Sequence, residues 1–401
     1  MQKNFVADGS EPPARGFAQS GVRLANERAV LGLIAMHPGA SNADLARLSG
    51  LGAQTTSRIV SDLETRDLVQ RGEVLRGRRG QPATPLFLNP DGAYVIGVEI
   101  GWRHFEVLLL AMSGKVLVSI RRTYAYPNLD SIFGEISAEI ATLRAGMNRQ
   151  QASRLAGIGL ATPGRFETAV ERLGAPGEQA ERWRDTDCAA RLAACTGLEV
   201  NWVNDGSAVC WGEWLALAVP RPRAFAAFHV STFVGAGIAT DGTVWEGRTG
   251  NAANLGSILV PDAAGRPTSV HELASLMALQ QQLEQAGHAL PEGNPLSWDW
   301  AALEPVASAW LDVAGRALAI AIVSTRAVIE LDRIVIDGVM PRAVVGQLVN
   351  RISAHLATLS VCGESPAVAM GHLGSASAAI GAGQMLLFRR FFSRGWSLFA
   401  T

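Results

Sequence analysis

The sequence predicts a small helical module closed by a β-hairpin, followed by a larger α/β body built as two lobes of similar design. Three observations predict it. Between residues 24 and 66, three helical segments are separated by the breakers His37-Pro38-Gly39 and Gly50-Leu51-Gly52, and strand-like runs come directly after them. From Tyr94 the pattern changes to apolar strands that end in glycine turns. That strand–turn–strand opening then recurs from Ala224. With 401 residues the chain has room for two or three domains with full cores.

Apolar residues make up 48% of the chain and charged residues 18%, the balance of an ordinary globular protein. A net charge of −1 excludes a chain that coats nucleic acid with bulk positive charge, but it leaves room for a small local reader. Only Lys3 and Lys115 among the basic residues are lysines, a uniformity that reads as coding bias. Cys188, Cys195, Cys210 and Cys362 show no paired spacing and read as buried thiols, neither disulfides nor zinc ligands. The first twenty residues are polar, broken by Pro and Gly, and lack the apolar stretch of a secretory signal; they read as disordered. The run Ala317–Val323 lies between Arg316 and Arg326 and is too short to span a bilayer. A soluble, cytoplasmic chain with no membrane partner is the expectation.

Within the first ninety residues, Val30, Leu33 and Ile34 recur at helical spacing up to the break at His37. Ser41 stands as N-cap before a short helix with Asp44 in its first turn. A third helix, Ala53–Arg66, buries Ile59, Val60 and Leu63 and leaves Gln54, Thr55, Ser57 and Arg58 on its polar face. Two short helices joined by a glycine turn, the second polar at its N-terminal end, form a helix-turn-helix pattern, which a plain three-helix bundle could share. Residues 71–90 favour the DNA-reading form. They make a strand–loop–strand hairpin carrying Arg71, Arg76, Arg78 and Arg79 against the single acid Glu73. A basic hairpin directly after a helix-turn-helix is a wing. Its tip, Arg79-Gly80-Gln81-Pro82, resembles the Arg-Gly-Arg-Pro element that enters narrow A·T-rich minor grooves, with Gln81 in place of the second Arg. Residues 21–90 are thus predicted to be a winged helix-turn-helix that binds double-stranded DNA through Gln54, Thr55, Ser57, Arg58, Arg78, Arg79 and Gln81.

In the body, Tyr94–Gly101, Phe105–Met112 and Val116–Arg121 read as strands, Leu129 to Met147 as a helix, and Leu155–Ala161 as a further strand ending in Thr162-Pro163-Gly164. This is the opening of a ribonuclease-H-like, actin-type ATPase lobe. Ala224–Val230, Gly235–Gly242 and Thr243–Glu246 repeat the opening. Residues 91–220 are assigned to a first lobe, with a C-terminal helix over 377–395 packing back on it, and residues 221–376 to a second. Two such lobes suit a sugar-kinase fold, with phosphates at the glycine turns of both lobes and an acceptor at their junction.

The ordered segments Gly97-Val98-Glu99-Ile100-Gly101, Thr162-Pro163-Gly164, Asn204-Asp205-Gly206, Val234–Ile238, Gly247 to Ser257, Ile334–Gly338 and Leu373 to Ala382 resemble the ROK family (repressors, open reading frames and kinases), in its regulator branch with an N-terminal winged helix. The resemblance covers about residues 21–390. It implies an α/β actin-like, two-lobed body behind an all-α/winged-helix DNA-binding domain, a sugar-type effector, and a homodimer or dimer of dimers.

Departures from the family pattern bear on function. Where kinases of the family carry Asp-x-Gly-Gly-Thr-Lys, this chain has Glu99-Ile100-Gly101-Trp102-Arg103-His104, with Trp102 at a place of close phosphate approach. The Glu-x-Gly-His that binds sugar and supplies a zinc ligand falls on Asn254-Leu255-Gly256-Ser257, and the cysteine-rich zinc loop falls on Pro261–Val270, which has no cysteine. The resemblance therefore implies no zinc or other cofactor. The next sugar-binding Glu falls on His271, or on Glu272 with a one-residue shift. Asn204-Asp205 is retained, where Asp is the family's general base; here it reads as a vestigial base that accepts a hydrogen bond from a ligand hydroxyl, or else as a cap of the helix Gly206–Leu217. Gly164, Asn204, Asp205, Asn254 and His271 are the effector-binding candidates, with no catalytic residue. The expected function is a transcriptional regulator, a repressor of carbohydrate genes that is not an enzyme. The alternatives are a bifunctional sugar kinase that also binds DNA and a regulator whose body is only a dimerisation scaffold.

Overall fold

The computed structural model describes residues 19–73, 84–359 and 366–392. Two compact units divide the chain, one ending at Leu88 and the other running from Asn89 to Arg390.

The first unit holds α1 (Gln19–Met36), α2 (Asn42–Ser49) and α3 (Ala53–Thr65), then strands β1 (Val69–Arg71) and β2 (Leu86–Leu88). Helix α1 begins five residues before the expected start and takes in positions 19 and 20 of the segment read as disordered. Ser41 caps α2 in a reciprocal box: its Oγ accepts from Asp44 N at 3.2 Å, and Asp44 Oδ2 accepts from Ser41 N at 3.1 Å. Gly50, at φ +68°, closes that helix in the left-handed region that favours glycine. The three helices meet one another through a core of Val30, Leu33, Ile34, Leu45, Ile59, Val60 and Leu63, all buried. Strands β1 and β2 pair antiparallel in the register Gln70↔Phe87, and Ala40 adds a bridge to Leu86. The hairpin is thus anchored as a wing. Its tip, including Arg76, Arg78, Arg79 and Gln81, lies outside the described residues, as do residues 1–18 and Cys362.

The second unit contains two five-stranded sheets of one topology. The first lobe runs β3 (Tyr94–Ile100), β4 (His104–Ala111), β5 (Val116–Thr123), α4 (Ile132–Ala145), α5 (Arg149–Ser153), β6 (Leu155–Thr162), α6 (Gly177–Arg184), α7 (Cys188–Thr196), β7 (Val200–Asn204) and α8 (Asp205–Ala216). The second runs β8 (Ala224–Val230), β9 (Val234–Thr240), β10 (Thr243–Val244), the hairpin β11 (Leu259–Pro261) and β12 (Pro267–Ser269), α9 (Val270–Ala274), α10 (Leu276–Gln285), α11 (Val306–Arg326), β13 (Arg333–Gly338), α12 (Arg342–Thr358), β14 (Ala367–Met370) and α13 (Ser377–Phe391). The sheet orders are β5-β4-β3-β6-β7 and β10-β9-β8-β13-β14. In each, the first three strands are antiparallel and the last two join parallel to the first. The turn Asp241-Gly242 links β9 and β10 with both residues at positive φ, a two-residue hairpin turn.

Helices α8 and α13 are shared between the lobes. A Cβ on Gly206 would overlap the Ala236 carbonyl of β9, and one on Gly381 would overlap the Ala208 carbonyl of α8. Along the same α13, Ala379 and Ala382 carbonyls lie against Gly97 and Gly159 of the first sheet. Glycine is required where helix backbone meets strand or helix backbone this closely. Helix α11 extends the apolar run 317–323 into 21 residues, long and apolar enough by length and composition to cross a membrane. Its Trp310, Leu311, Leu318 and Ile322 are instead buried in the second lobe's core. The thiols also differ from expectation: Cys210 is buried and Cys188 half-buried, but Cys195 is exposed. Helix α7 lies on the surface and turns only Leu192 fully inward.

Candidate functional site

The outer face of α3 is one candidate site. Thr56, Ile59, Val60 and Leu63 turn inward, which leaves Gln54, Ser57 and Arg58 exposed and Thr55 half-buried. Gly52 is the N-cap residue and offers no side-chain bond to the first turn. The other arginines nearby are engaged: Arg23 and Arg66 on Glu27, Arg47 on Asp44, and Arg71 in a fork on Glu64. Arg58 has no acidic partner among the described residues. An exposed guanidinium beside Gln54 and Ser57 on a helix face suits base edges and phosphates.

The second candidate is a cleft of about 450 Å³ between the lobes, a size suited to a small molecule. Gly164, Asn204, Asp205, Asn254 and His271, all anticipated from the sequence, line it together. Their roles differ. Asn204, at the end of β7, is the N-cap of α8: its Oδ1 accepts from Gly206 N at 2.9 Å and Ser207 N at 3.3 Å. The helix cap is thus Asn204, not Asp205. Its amide Nδ2 donates to Asn251 Oδ1 of the second lobe at 3.2 Å. Asp205 accepts from its neighbour Gly206 N at 2.8 Å, and no other side chain bonds its carboxylate among the described residues. Burial, then the nearby Glu99 charge, pushes its carboxyl up to about 6.

Gly164 gives Asn251 room, since a Cβ would sit 2.5 Å from its Oδ1. Asn254 Nδ2 donates to Ser257 Oγ at 2.8 Å. His271 Nδ1 accepts from Val234 N at 3.1 Å, so the neutral ring carries its proton on Nε2, 3.4 Å from Ser257 Oγ. Burial lowers its pKa to about 4. Glu272 points elsewhere and forms a fork with Arg172 of the first lobe at 2.7 and 3.0 Å.

Sequence reasoning missed Asn251, Arg172 and Phe233, and, while naming Glu272 as an alternative to His271, missed its pairing with Arg172. Phe233 stands in the β8–β9 turn, the second-lobe counterpart of the β3–β4 turn that carries Trp102. The two rings meet edge to face at 5.0 Å, and Trp102 also meets Phe166 at 5.1 Å. Arg172 lies over Phe233 at 5.2 Å. An aromatic bridge therefore joins the two turns across the cleft.

The ROK family pattern matches residues 95–389, about three quarters of the chain. The chain belongs to the ROK family. A MarR-family pattern matches residues 20–80, which agrees with the winged helix. Among relatives, the repressor Mlc of Escherichia coli is 25% identical over 69% of this chain and 70% of its own. The xylose repressor of Bacillus spizizenii is 24% identical over 60% of this chain, which spans 62% of that repressor's length. A solved ROK family transcriptional regulator, a homologue of E. coli Mlc, shares the fold with a TM-score of 0.68 at 21% identity, covering 94% of this chain and 99% of that one.

The hairpin β11–β12 turns through residues 262–266. Asp262 closes it: Oδ1 accepts from Ala264 N and Arg266 N, and Oδ2 from Arg266 Nε, all at 2.8–2.9 Å. A carboxylate–guanidinium clamp thus ties the loop. Elsewhere, Glu99, His104 and Glu106 bring ligand-type atoms within 4.8 Å of one another. Glu106 there accepts from Ser119 Oγ at 2.7 Å and Arg121 Nη1 at 3.1 Å, so its oxygens already have donors.

Proposed function

We propose that this protein is a DNA-binding transcriptional repressor of sugar-metabolism genes whose kinase-like body senses a small polyhydroxylated ligand and does not phosphorylate it. The observation that carries the reading is the aromatic bridge. Trp102 and Phe233 stand on the two turns where a kinase of this fold brings backbone and small residues to phosphate, and they fill that space with rings. The winged helix that precedes the body in the chain, and relatives named as repressors, support the regulatory half.

The operator contacts are assigned to Gln54, Thr55, Ser57 and Arg58 in the major groove and Arg78, Arg79 and Gln81 at the wing tip. The effector lies against Asp205, whose carboxylate is bonded by no other side chain among the described residues, and against His271 Nε2, with Gly164 and Asn254 at the margins. Asn204 acts mainly by holding α8 and Asn251 in place. A homodimer would pair two winged helices on a pseudo-palindromic site. Ligand that binds the closed lobes more tightly shifts the DNA-binding equilibrium by its differential affinity, typically about 1–3 kcal/mol.

The bifunctional-kinase reading draws on one feature: a carboxyl near pKa 6 beside the cleft is suited to take a proton from a hydroxyl. One experiment separates the two readings. Purified protein is titrated with a panel of sugars by thermal shift, and those that raise the melting temperature are assayed for Mg-ATP turnover and for release of promoter DNA. The repressor reading expects ligands that stabilise and alter DNA affinity with no phosphosugar formed. Turnover of any stabilising sugar, or a promoter affinity that no stabilising sugar changes, would overturn it.

A further inference from the structure

Backbone amides fix the hydrogen-bonding sense of the groups that line the interlobe cleft, and the two walls differ in that sense. On the first lobe, the N–H groups of Gly206 and Ser207 donate to Asn204 Oδ1, so Nδ2 of that amide is the donor that meets Asn251 Oδ1 at 3.2 Å. This fixes Asn251 in turn. Its Oδ1 is an acceptor already in use, and its Nδ2 is a donor without an acceptor among the described residues. On the same second-lobe wall, Val234 N–H donates to His271 Nδ1, which leaves the proton of the neutral ring on Nε2. Ser257 Oγ stands 3.4 Å from that nitrogen and accepts from Asn254 Nδ2 at 2.8 Å, so its own hydroxyl proton is free for another acceptor. The free Oδ1 of Asn254 belongs to the exposed rim.

The second lobe therefore offers donors to the cleft, where the first lobe offers the Asp205 carboxylate as an acceptor. A ligand hydroxyl against the first lobe donates to Asp205. A hydroxyl against the donor wall has to accept there, and its own hydrogen must then find a partner in an enclosed space. Where it finds none, affinity falls by about tenfold or more. A carbonyl oxygen has two lone pairs and no hydrogen to place. Charge narrows the class further. Glu99 and Asp205 bring carboxyl groups to the cleft, and its two guanidiniums are already paired, Arg165 with Glu167 at 2.8 Å and Arg172 with Glu272. Burial keeps His271 neutral. A ligand carboxylate would meet no unpaired cation among the described lining residues, a cost that an uncharged carbonyl avoids.

We propose that the effector is a neutral polyhydroxylated lactone, its hydroxyls donating to Asp205 and its carbonyl oxygen accepting from Asn251 Nδ2 and His271 Nε2. The assignment rests on the sensing role proposed above for the cleft, and it makes the oxidation level of the sugar the property that is read. An aldose or alditol of the same configuration presents a hydroxyl where the lactone presents its carbonyl, and is discriminated there.

Calorimetric titration of the full-length protein with freshly dissolved D-gluconolactone and D-galactonolactone tests the assignment, each beside its aldose, its alditol and the aldonate to which it hydrolyses. In at least one of the two sets the lactone is expected to bind about tenfold or more tightly than the aldose and alditol, and more tightly than the aldonate. Asn251→Asp keeps the acceptor for Asn204 and turns the free donor into an acceptor, so it should abolish the lactone's advantage. His271→Asn keeps an acceptor for Val234 N–H but withdraws the ring donor, and should weaken the lactone by about tenfold while moving the alditol less. Melts without ligand verify that the variants fold, and either variant alone decides the comparison if the other does not. An aldose or alditol that binds as tightly as its lactone in both sets, an aldonate that binds more tightly, or a lactone advantage that survives the substitutions would overturn the assignment and leave the sensing role standing. No heat with any of these compounds also overturns it, whereas the sensing role falls only if no stabilising sugar changes promoter affinity.

Discussion

The outer face of α3 and the wall of the interlobe cleft are both polar, yet their polar groups stand in opposite states. On α3, Gln54, Ser57 and Arg58 point outward, and among the described residues Arg58 has no acidic partner although its neighbours Arg23, Arg47, Arg66 and Arg71 all do. In the cleft the enclosed polar atoms are already engaged, Asn204 by the first turn of α8 and His271 by Val234 N, while Asn254, exposed at the rim, bonds Ser257. Asp205 is the exception, bonded to Gly206 N and to no other side chain among the described residues. A surface reader can leave its donors to water until a partner comes. A buried pocket must satisfy its groups within the protein, because an unpaired buried polar group costs about 1–3 kcal/mol. The groups left incompletely bonded are therefore the ones still free to meet a ligand.

The largest expected effect breaks the comparison on its exposed side. Arg58→Ala should weaken operator binding by about 1–3 kcal/mol per half-site, with folding stability unchanged because no ion pair among the described residues is lost. Gel-shift titration over a salt series measures it. Equal affinity of parent and variant for every promoter fragment would show that the face of α3 is merely solvated.

Asp205→Asn sharpens the cleft side. A carboxyl whose folded pKa lies above its unfolded value of 3.8 binds a proton more tightly in the native state. Its charge therefore penalises folding, from no effect below pH 4 to the full penalty above pH 6. The residue is half-buried by area although its carboxyl faces the enclosed cleft. Discounted for solvent in the cleft, the penalty is about 1–2 kcal/mol. The amide variant should thus melt higher than the parent at pH 7 and together with it at pH 4, while losing sugar response. A variant that is less stable at pH 7 would assign Asp205 a structural role.

Asn204→Ala tests the neighbour with the opposite expectation. Loss of the α8 cap should cost about 0.5–2 kcal/mol in stability, as Asn caps generally do. Ligand affinity should fall less in Asn204→Ala than in Asp205→Asn, and denaturant melts beside ligand titrations give both numbers.

The same division separates what was legible in the sequence from what was not. The exposed face of α3, the Ser41 cap, the Asp241-Gly242 turn and the duplicated lobes were legible because each is encoded within a few consecutive residues or repeats. The pairing of Asn204 with the cleft was legible, but not which of Asn204 and Asp205 caps α8, since that depends on side-chain direction at the helix start. Phe233 carried no signal, because a single aromatic in a glycine-rich turn acquires meaning only when folding sets it against Trp102. The Arg172–Glu272 fork joins residues 100 positions apart and has no local signature. Likewise the choice between His271 and Glu272 could not be made from spacing. In the fold both line the cleft, but Glu272 is bound to Arg172, and His271 is left with its Nε2 toward the ligand space.

The smallest expected effect concerns that imidazole. His271 titrates near 4 in the folded protein against 6.5 unfolded, because burial disfavours its charged form. The unfolded chain therefore gains a proton first as the solution is acidified, and stability is lost as pH falls from about 6.5 toward 4. Between pH 7 and 6 the loss is about 0.5 kcal/mol once discounted for the ring's partial exposure. His271→Asn removes the titrating group, so its melting temperature should fall less than the parent's over that interval. The Val234 N–H would keep an acceptor in the new amide oxygen. If parent and variant show the same pH slope, the ring is already free to protonate in the fold. It would then offer the ligand a cation instead of the neutral Nε2–H donor, and an anionic effector would be favoured over a neutral sugar.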